Sequence, residues 1–212
     1  MLRTMTRTIG ILYPAKMIKD RAAEATEAGF QPFGMQCSEI TPVEHILPDC
    51  DTVAVRSLAA LEACHGELKG KVWSEDQDVM GVMRGLGMDV SDACTGRVAC
   101  VRAKEDPVMD GADDIVVCEC PEVLKGSALL HIMIALKRGE LDTLVLNNAE
   151  SADLLVKSLD DKYGIDDSRY YLEEHVKVVT VGPTARAYMG HIGIEPDLVL
   201  DDQPLPKILE RI

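Results

Sequence analysis

The sequence predicts an α/β protein of two domains, each built on a mainly parallel sheet. Short apolar runs with strand character alternate with helical segments along the whole chain, which is the mark of repeated β-α-β units. About ten such strands are too many for one sheet in a chain of 212 residues, so two sheets of five fit better. A hydrophobic content of 47% is ample for the cores of such domains and argues against disorder.

The elements follow in order. Residues 8–13 (TIGILY) form an apolar run suited to a strand buried on both faces. Residues 15–28 carry Met17, Ile18, Ala22, Ala25 and Ala28 at helical spacing, and Gly29 closes them. Residues 30–36 read as the next strand, 51–56 (DTVAVR) as another, and 58–64 as a short helix. A brief strand over 71–74 precedes a helix over 76–86 that ends at Gly87. Residues 97–103 and 113–119 are strands, joined by only nine residues, 104–112. A parallel crossover takes about ten to twelve, so a loop or a single helical turn is expected there. An apolar helix over 126–138 follows, then a strand over 141–146 and a helix over 151–163. The chain closes with strand 176–181, helix 183–192, strand 198–200 and helix 204–212. Asp51-Thr52 and Asp142-Thr143 each open an apolar strand that ends in a polar turn before a helix, so two similar halves are expected.

Charge and cysteine content narrow the function. The chain carries 36 acidic and 22 basic residues, a net charge of −14, which is the reverse of a nucleic-acid-binding footprint. No apolar run approaches the roughly 18 residues of a membrane span, no signal peptide is read, and a cytoplasmic location is expected. The seven cysteines are odd in number and sit mostly in apolar segments, so reduced, metal-free thiols are expected. Cys118-Glu119-Cys120 places two thiols on one side of a strand, but its spacing matches no strong metal pattern. The five histidines are scattered and Asp160-Asp161 with Asp166-Asp167 reads as a solvated helix end. Neither GxGxxG nor GxxxxGK[ST] occurs, and no cofactor is expected.

Val181-Gly182-Pro183-Thr184-Ala185-Arg186 is the sharpest local signal. A strand ends, glycine makes the turn, and proline takes a first helical position that tolerates its missing N–H. The free N–H groups and positive helix end beyond it suit a carboxylate or phosphate. Arg56-Ser57 and Asn147-Asn148 occupy equivalent strand ends, where open parallel sheets place ligands, and Arg56 there can hold an anion.

Residues 176–194 with their flanks resemble the C-terminal signature of the uroporphyrinogen-III synthase family: an apolar strand, a Gly-Pro turn, a helix and a closing glycine. YPAKMIKDRAAEATEAGFQPFGMQCSEITP is similar to that family's opening strand, helix and Gly-Phe strand. CDTVAVRSLAALEAC and ELDTLVLNNAESADLL resemble its two strand ends, and KVWSEDQDVMGVMRGLGMDV its strand-helix-glycine unit. The resemblance implies two flavodoxin-like domains joined by a two-stranded linker near residues 37–41 and 117–121. Residues 1–36 with 121–212 would form the first domain and 37–120 the second. It also implies cyclisation of the linear tetrapyrrole hydroxymethylbilane to uroporphyrinogen III, with inversion of the last ring and loss of water. The alternative is a paralogue that binds a tetrapyrrole or other polyanion without turnover, or an interaction protein with an acidic face. As synthase or as non-catalytic binder, a monomer would hold the linear tetrapyrrole or other polyanionic small molecule in an interdomain cleft. The implied ligand contacts are Arg56, Ser57, Asn148, Gly182, Pro183, Thr184 and Arg186, with Arg102 and Lys104 as further cleft candidates. No catalytic residue is singled out. The chain departs from the family's pattern at Ala185, Cys118, Asn148 and the 76–79 turn.

Overall fold

The computed structural model describes residues 7–121 and 127–212. The chain forms β1 (Arg7–Tyr13), α1 (Ile18–Glu27), β2 (Phe30–Gln36), β3 (Thr41–Pro42), β4 (Thr52–Val55), α2 (Leu58–Cys64), β5 (Lys71–Trp73), α3 (Gln77–Gly85) and β6 (Asp89–Val90). It continues through β7 (Val98–Ala103), β8 (Asp113–Glu119), α4 (Ser127–Lys137), β9 (Thr143–Leu146), α5 (Ala149–Tyr163) and α6 (Ile165–Glu174). It ends with β10 (Lys177–Val181), α7 (Pro183–His191), β11 (Leu198–Leu200) and α8 (Leu205–Leu209). The expected helix start at Gly126 lies outside the described residues, as do residues 1–6.

Two sheets result. The first runs β11-β10-β9-β1-β2 and is wholly parallel, in the strand order of flavodoxin-like sheets. The second runs β3-β8-β7-β4-β5-β6, doubly wound and parallel except where β3 joins β8 antiparallel. Six strands stand here rather than five because β3 is the linker itself, laid against the sheet edge. Cys37 N–H still bonds Tyr13 O in the first sheet (3.2 Å), while Val43 N–H bonds Val117 O in the second (2.9 Å). The outgoing and returning segments thus form a two-stranded joint between the domains.

The central strands are buried on both faces, as their unbroken apolar runs require: every residue of β4 and β9 is buried. The two domains share one core. It includes Val53, Val55 and Val101 of the second sheet, Leu144 and Val178 of the first, and the helices between them. A second cluster covers the other face of the first sheet with α1 and α8, through Ala25, Leu205 and Ile208. Between the domains α2 packs on α5 and α3 on α7.

The α3–α7 contact rests on two small residues one helical turn apart. A Cβ on Gly81 would lie 2.0 Å from His191 Nδ1, and one on Gly85 would lie 2.9 Å from Ala187 Cβ and 3.2 Å from its Cα. The helix backbones therefore meet closely only because these side chains are absent.

Residues 104–112 cross from β7 to β8 as a loop, without a helix. Arg102 holds it. Its guanidinium pairs with Asp114 through two bonds (Nε to Oδ1 2.6 Å, Nη2 to Oδ2 2.8 Å). Its Nη1 donates to the carbonyls of Ala103, Lys104 and Asp106 at 3.0–3.2 Å. Arg102 is thus 9% exposed and serves the fold.

Helix α6 stands where the acidic run reads only as a solvated helix end. Gly164, at φ +88°, ends α5 and starts α6 with no intervening loop, and the Ser168 hydroxyl bonds back to Gly164 O (2.8 Å). Only Ser168, Tyr171 and Leu172 of α6 are buried, too few to leave a helical repeat in the sequence.

Two substitutions of the same kind should act oppositely. Gly190 of α7 has nothing within 4 Å of an added Cβ, so Gly190→Ala should raise stability by about 0.5–1 kcal/mol. Gly85→Ala should lower it, because overpacking of about 1–3 kcal/mol outweighs a similar helix gain of about 1 kcal/mol. Urea midpoints of the two variants against the parent decide this. By the same measurement Arg102→Met should cost about 3 kcal/mol, since it strands Asp114 and three loop carbonyls.

Candidate functional site

Four βα turns meet at the junction of the domains, two from each. Three begin with a capping side chain. Ser57 accepts Ala60 N–H (3.2 Å) above α2, Asp76 accepts Asp78 N–H (2.8 Å) above α3, and Asn148 accepts Ser151 N–H (2.8 Å) above α5. The fourth, above α7, has Gly182 at φ +81° followed by Pro183 and no side-chain cap. Gly182 N–H donates to Leu200 O (2.9 Å) and Pro183 has none, so the N–H groups of Thr184 and Ala185 are left for another acceptor.

The residues expected to bind a ligand divide into two sets. Gly182, Pro183 and Arg186 come together on one groove of about 900 Å³ between the domains. Arg84 and Gly85 of α3 form the facing wall, and Asp201 and Asp202, just after β11, form its rim. Arg84 and Arg186 are both exposed and have no hydrogen-bond or ion-pair partner among the described residues.

The other set is engaged elsewhere. Arg56 pairs with Glu75 (2.7 Å) and its side chain is 11% exposed. Ser57, besides capping α2, donates to Asp106 in the crossover loop (2.6 Å). Asn148 is a helix cap, and its neighbour Asn147 donates to Leu12 O (2.9 Å). Thr184 shares the α7 turn but points inward: it is 1% exposed, and its hydroxyl donates to Glu62 of α2. Arg102 staples the crossover, and Lys104 pairs with Glu119 (2.6 Å).

Sequence reasoning did not single out Glu62, Arg84, Asp201 or Asp202. The one available signal for Arg84 was its place beside Gly85, four residues after Gly81, a spacing that marks a close helix contact.

The junction is rich in carboxylates. Asp78 accepts from Lys157 (3.1 Å) and faces His191 (3.2 Å), while Asp153 accepts from Lys157 (2.9 Å) and from the Tyr188 hydroxyl (2.9 Å). Glu150 accepts from Ser38 (3.4 Å). Burial raises Glu62, Glu150 and Asp153 above the usual carboxylate range, more than their hydrogen-bond partners lower them. Burial alone would lower Lys157, yet Asp153 and Asp78 hold it above the ordinary lysine value.

Burial also lifts the Cys37, Cys64 and Cys118 thiols to about 12 and Cys120 to about 11, so none of them is poised as a thiolate nucleophile. Among the described residues no three His, Cys, Asp or Glu side chains gather in a way that could hold a metal ion. Among them, too, no helix is long and apolar enough to cross a membrane.

No protein-family model and no curated protein sequence matches the chain. Solved structures do. A triple mutant of uroporphyrinogen III synthase from the extremely thermophilic bacterium Thermus thermophilus is 14% identical over 97% of this chain and 96% of its own, with a TM-score of 0.57. The wild-type protein of that organism is 16% identical over the same shares, with a TM-score of 0.58. A further Thermus thermophilus uroporphyrinogen III synthase structure is 17% identical over 97% of both chains, with a TM-score of 0.55. The chain therefore has the two-domain α/β fold of uroporphyrinogen III synthase over nearly its whole length. At this identity the likeness concerns the fold.

The raised junction carboxyls set a direction for pH dependence. Because burial raises them in the folded chain, folding takes up protons on Glu62, Glu150 and Asp153. Their stabilising contribution is full below the unfolded values and is lost as pH rises through the folded ones. Asp114, held low by Arg102, acts in the opposite sense and loses its contribution as pH falls through its own lowered value. The thermal midpoint should therefore rise as pH falls from neutrality through the raised folded values of the three carboxyls, then fall in stronger acid as Asp114 is protonated. Glu62→Gln should flatten the rising limb, which melts across that range will test.

Proposed function

We propose that this chain is a divergent uroporphyrinogen-III synthase. In this reading it cyclises hydroxymethylbilane to uroporphyrinogen III, inverting the last ring and releasing water. The observation that supports the reading is the interdomain groove, where the uncapped Gly182-Pro183 turn stands beside the unpaired Arg186 and Arg84. One chain supplies both walls, from the proposed domains 1–36 with 121–212 and 37–120, so a monomer suffices.

Loss of the substrate's hydroxyl leaves an azafulvene, and the protein's task is to fold the chain so that closure occurs at the substituted carbon. Backbone N–H groups of the α7 turn can receive a carboxylate without help from side-chain identity. Arg186 and Arg84 can hold further carboxylates from opposite walls, each as a charge-assisted bond. Asp201 and Asp202 at the rim offset their charge, so the two arginines act as directed contacts rather than as a basic field.

Ala185 and Cys118 lack the hydroxyls that the family's pattern places at those positions. Each such bond, made mainly in the transition state, is worth on the order of 1–3 kcal/mol, or about ten- to a hundred-fold in rate. Weak activity is therefore expected. The second reading, a paralogue that binds a tetrapyrrole or other polyanion without turnover, uses the same groove and arginines; the carboxylates Glu62, Asp78, Glu150 and Asp153 at the junction favour instead the reading as an interaction protein with an acidic face.

Freshly made hydroxymethylbilane, followed by oxidation and separation of the uroporphyrin isomers, tests the proposal. Isomer III above the spontaneous isomer I is expected, falling about tenfold in Arg186→Ala, the loss of one charge-assisted contact. Isomer I alone, with the tetrapyrrole still bound, puts the binding reading in its place.

A further inference from the structure

Glu62 projects from α2 of the second domain to the ends of two helices in the first. Its carboxylate accepts the hydroxyl hydrogen of Thr184, in the first turn of α7, and lies where the backbone N–H of Ala149, at the start of α5, favours its charged form. These helices follow the adjacent strands β10 and β9, so their positive ends lie side by side and face one carboxylate. His65 draws the same carboxylate toward its charged form and Asp202 opposes it. The contact closes the junction together with the Gly81–His191 and Gly85–Ala187 approaches and the Asp78–Lys157 pair.

We propose that Glu62 is an internal competitor for the ligand: it holds the carboxylate seat at the α5 and α7 ends while the domains are shut, and a ligand carboxylate takes that seat only as Glu62 leaves and the junction opens. The inference rests on the functional reading above, in which the α7 end receives a substrate carboxylate, and assigns its regulation. Affinity is then the intrinsic affinity reduced by the fraction of molecules in which Glu62 has withdrawn. Thr184 acts here as a latch partner, which accounts for its burial.

Uroporphyrin III, an eight-carboxylate probe, is titrated by fluorescence into the full chain and its variants, and the radius of gyration of each is measured by X-ray scattering. Glu62→Ala should bind at least tenfold more tightly than the parent and have a larger radius of gyration. Glu62→Gln keeps an acceptor for Thr184 and should gain less; it is the variant to read if Glu62→Ala does not fold. Glu173→Gln, an exposed change of equal charge on α6, should alter neither quantity. Equal or weaker binding by both Glu62 variants, with the parent binding normally, overturns the proposal and leaves the functional reading standing. Tighter binding with an unchanged radius of gyration overturns the coupling to domain opening. If no variant binds the probe, the functional reading fails; a larger radius in Glu62→Ala then still upholds the latch, and an unchanged one overturns it.

Discussion

The close approach of α3 to α7 is the contact on which the arrangement of the molecule depends. Gly81 and Gly85 let two helix backbones meet with Ala187 and His191 between them. That approach joins two separately wound sheets into one continuous core. A single methyl group at Gly85 meets backbone atoms, which cannot move aside as a flexible side chain would. The domains are covalently joined by a thin two-stranded linker, but packing at this helix contact sets how they sit. The groove beside it, with Arg84 on one wall and Arg186 on the other, exists because the contact covers only part of the facing surfaces.

The same junction shows how polar groups at strand ends are shared between fold and function. Ser57, Asp76 and Asn148 each satisfy helix N–H groups that would otherwise be left without partners. Ser57 also anchors Asp106, and Asp106 accepts Ala103 N–H (2.9 Å), so the α2 cap and the Arg102-held crossover form one hydrogen-bonded unit. That unit does for the second sheet what a crossover helix does elsewhere. Of the four turns at the junction only the one before α7 has no side-chain cap. The Thr184 hydroxyl in its first helical turn finds its acceptor in Glu62, from the opposite domain.

Much of the fold was legible in the residues. Strands such as Phe30–Gln36, Asp113–Glu119 and Leu198–Leu200 and helix Leu58–Cys64 lie where apolar runs and turn residues put them. The Gly182-Pro183 turn was legible for the same local reason, since glycine and proline state their backbone conformations directly. Helix α6 was not legible, because its three buried residues leave no periodic stripe. Of the site, Gly182, Pro183 and Arg186 could be read from one short segment. Their partners Arg84 and Glu62 lie about a hundred residues or more away in sequence, on helices whose polar faces look like ordinary solvated surface.

The sequence by itself determined the alternation of strands and helices, the division into two sheets and the anion-suited turn before α7, because periodicity and turn chemistry act over a few neighbouring residues. The tertiary structure alone decided which charges meet. It paired Arg56 with Glu75 and Arg102 with Asp114, left Arg84 and Arg186 facing a common groove, and set Glu62 on Thr184. Charge pairing depends on distance and burial across the domain junction, and neither is encoded in any local stretch of chain.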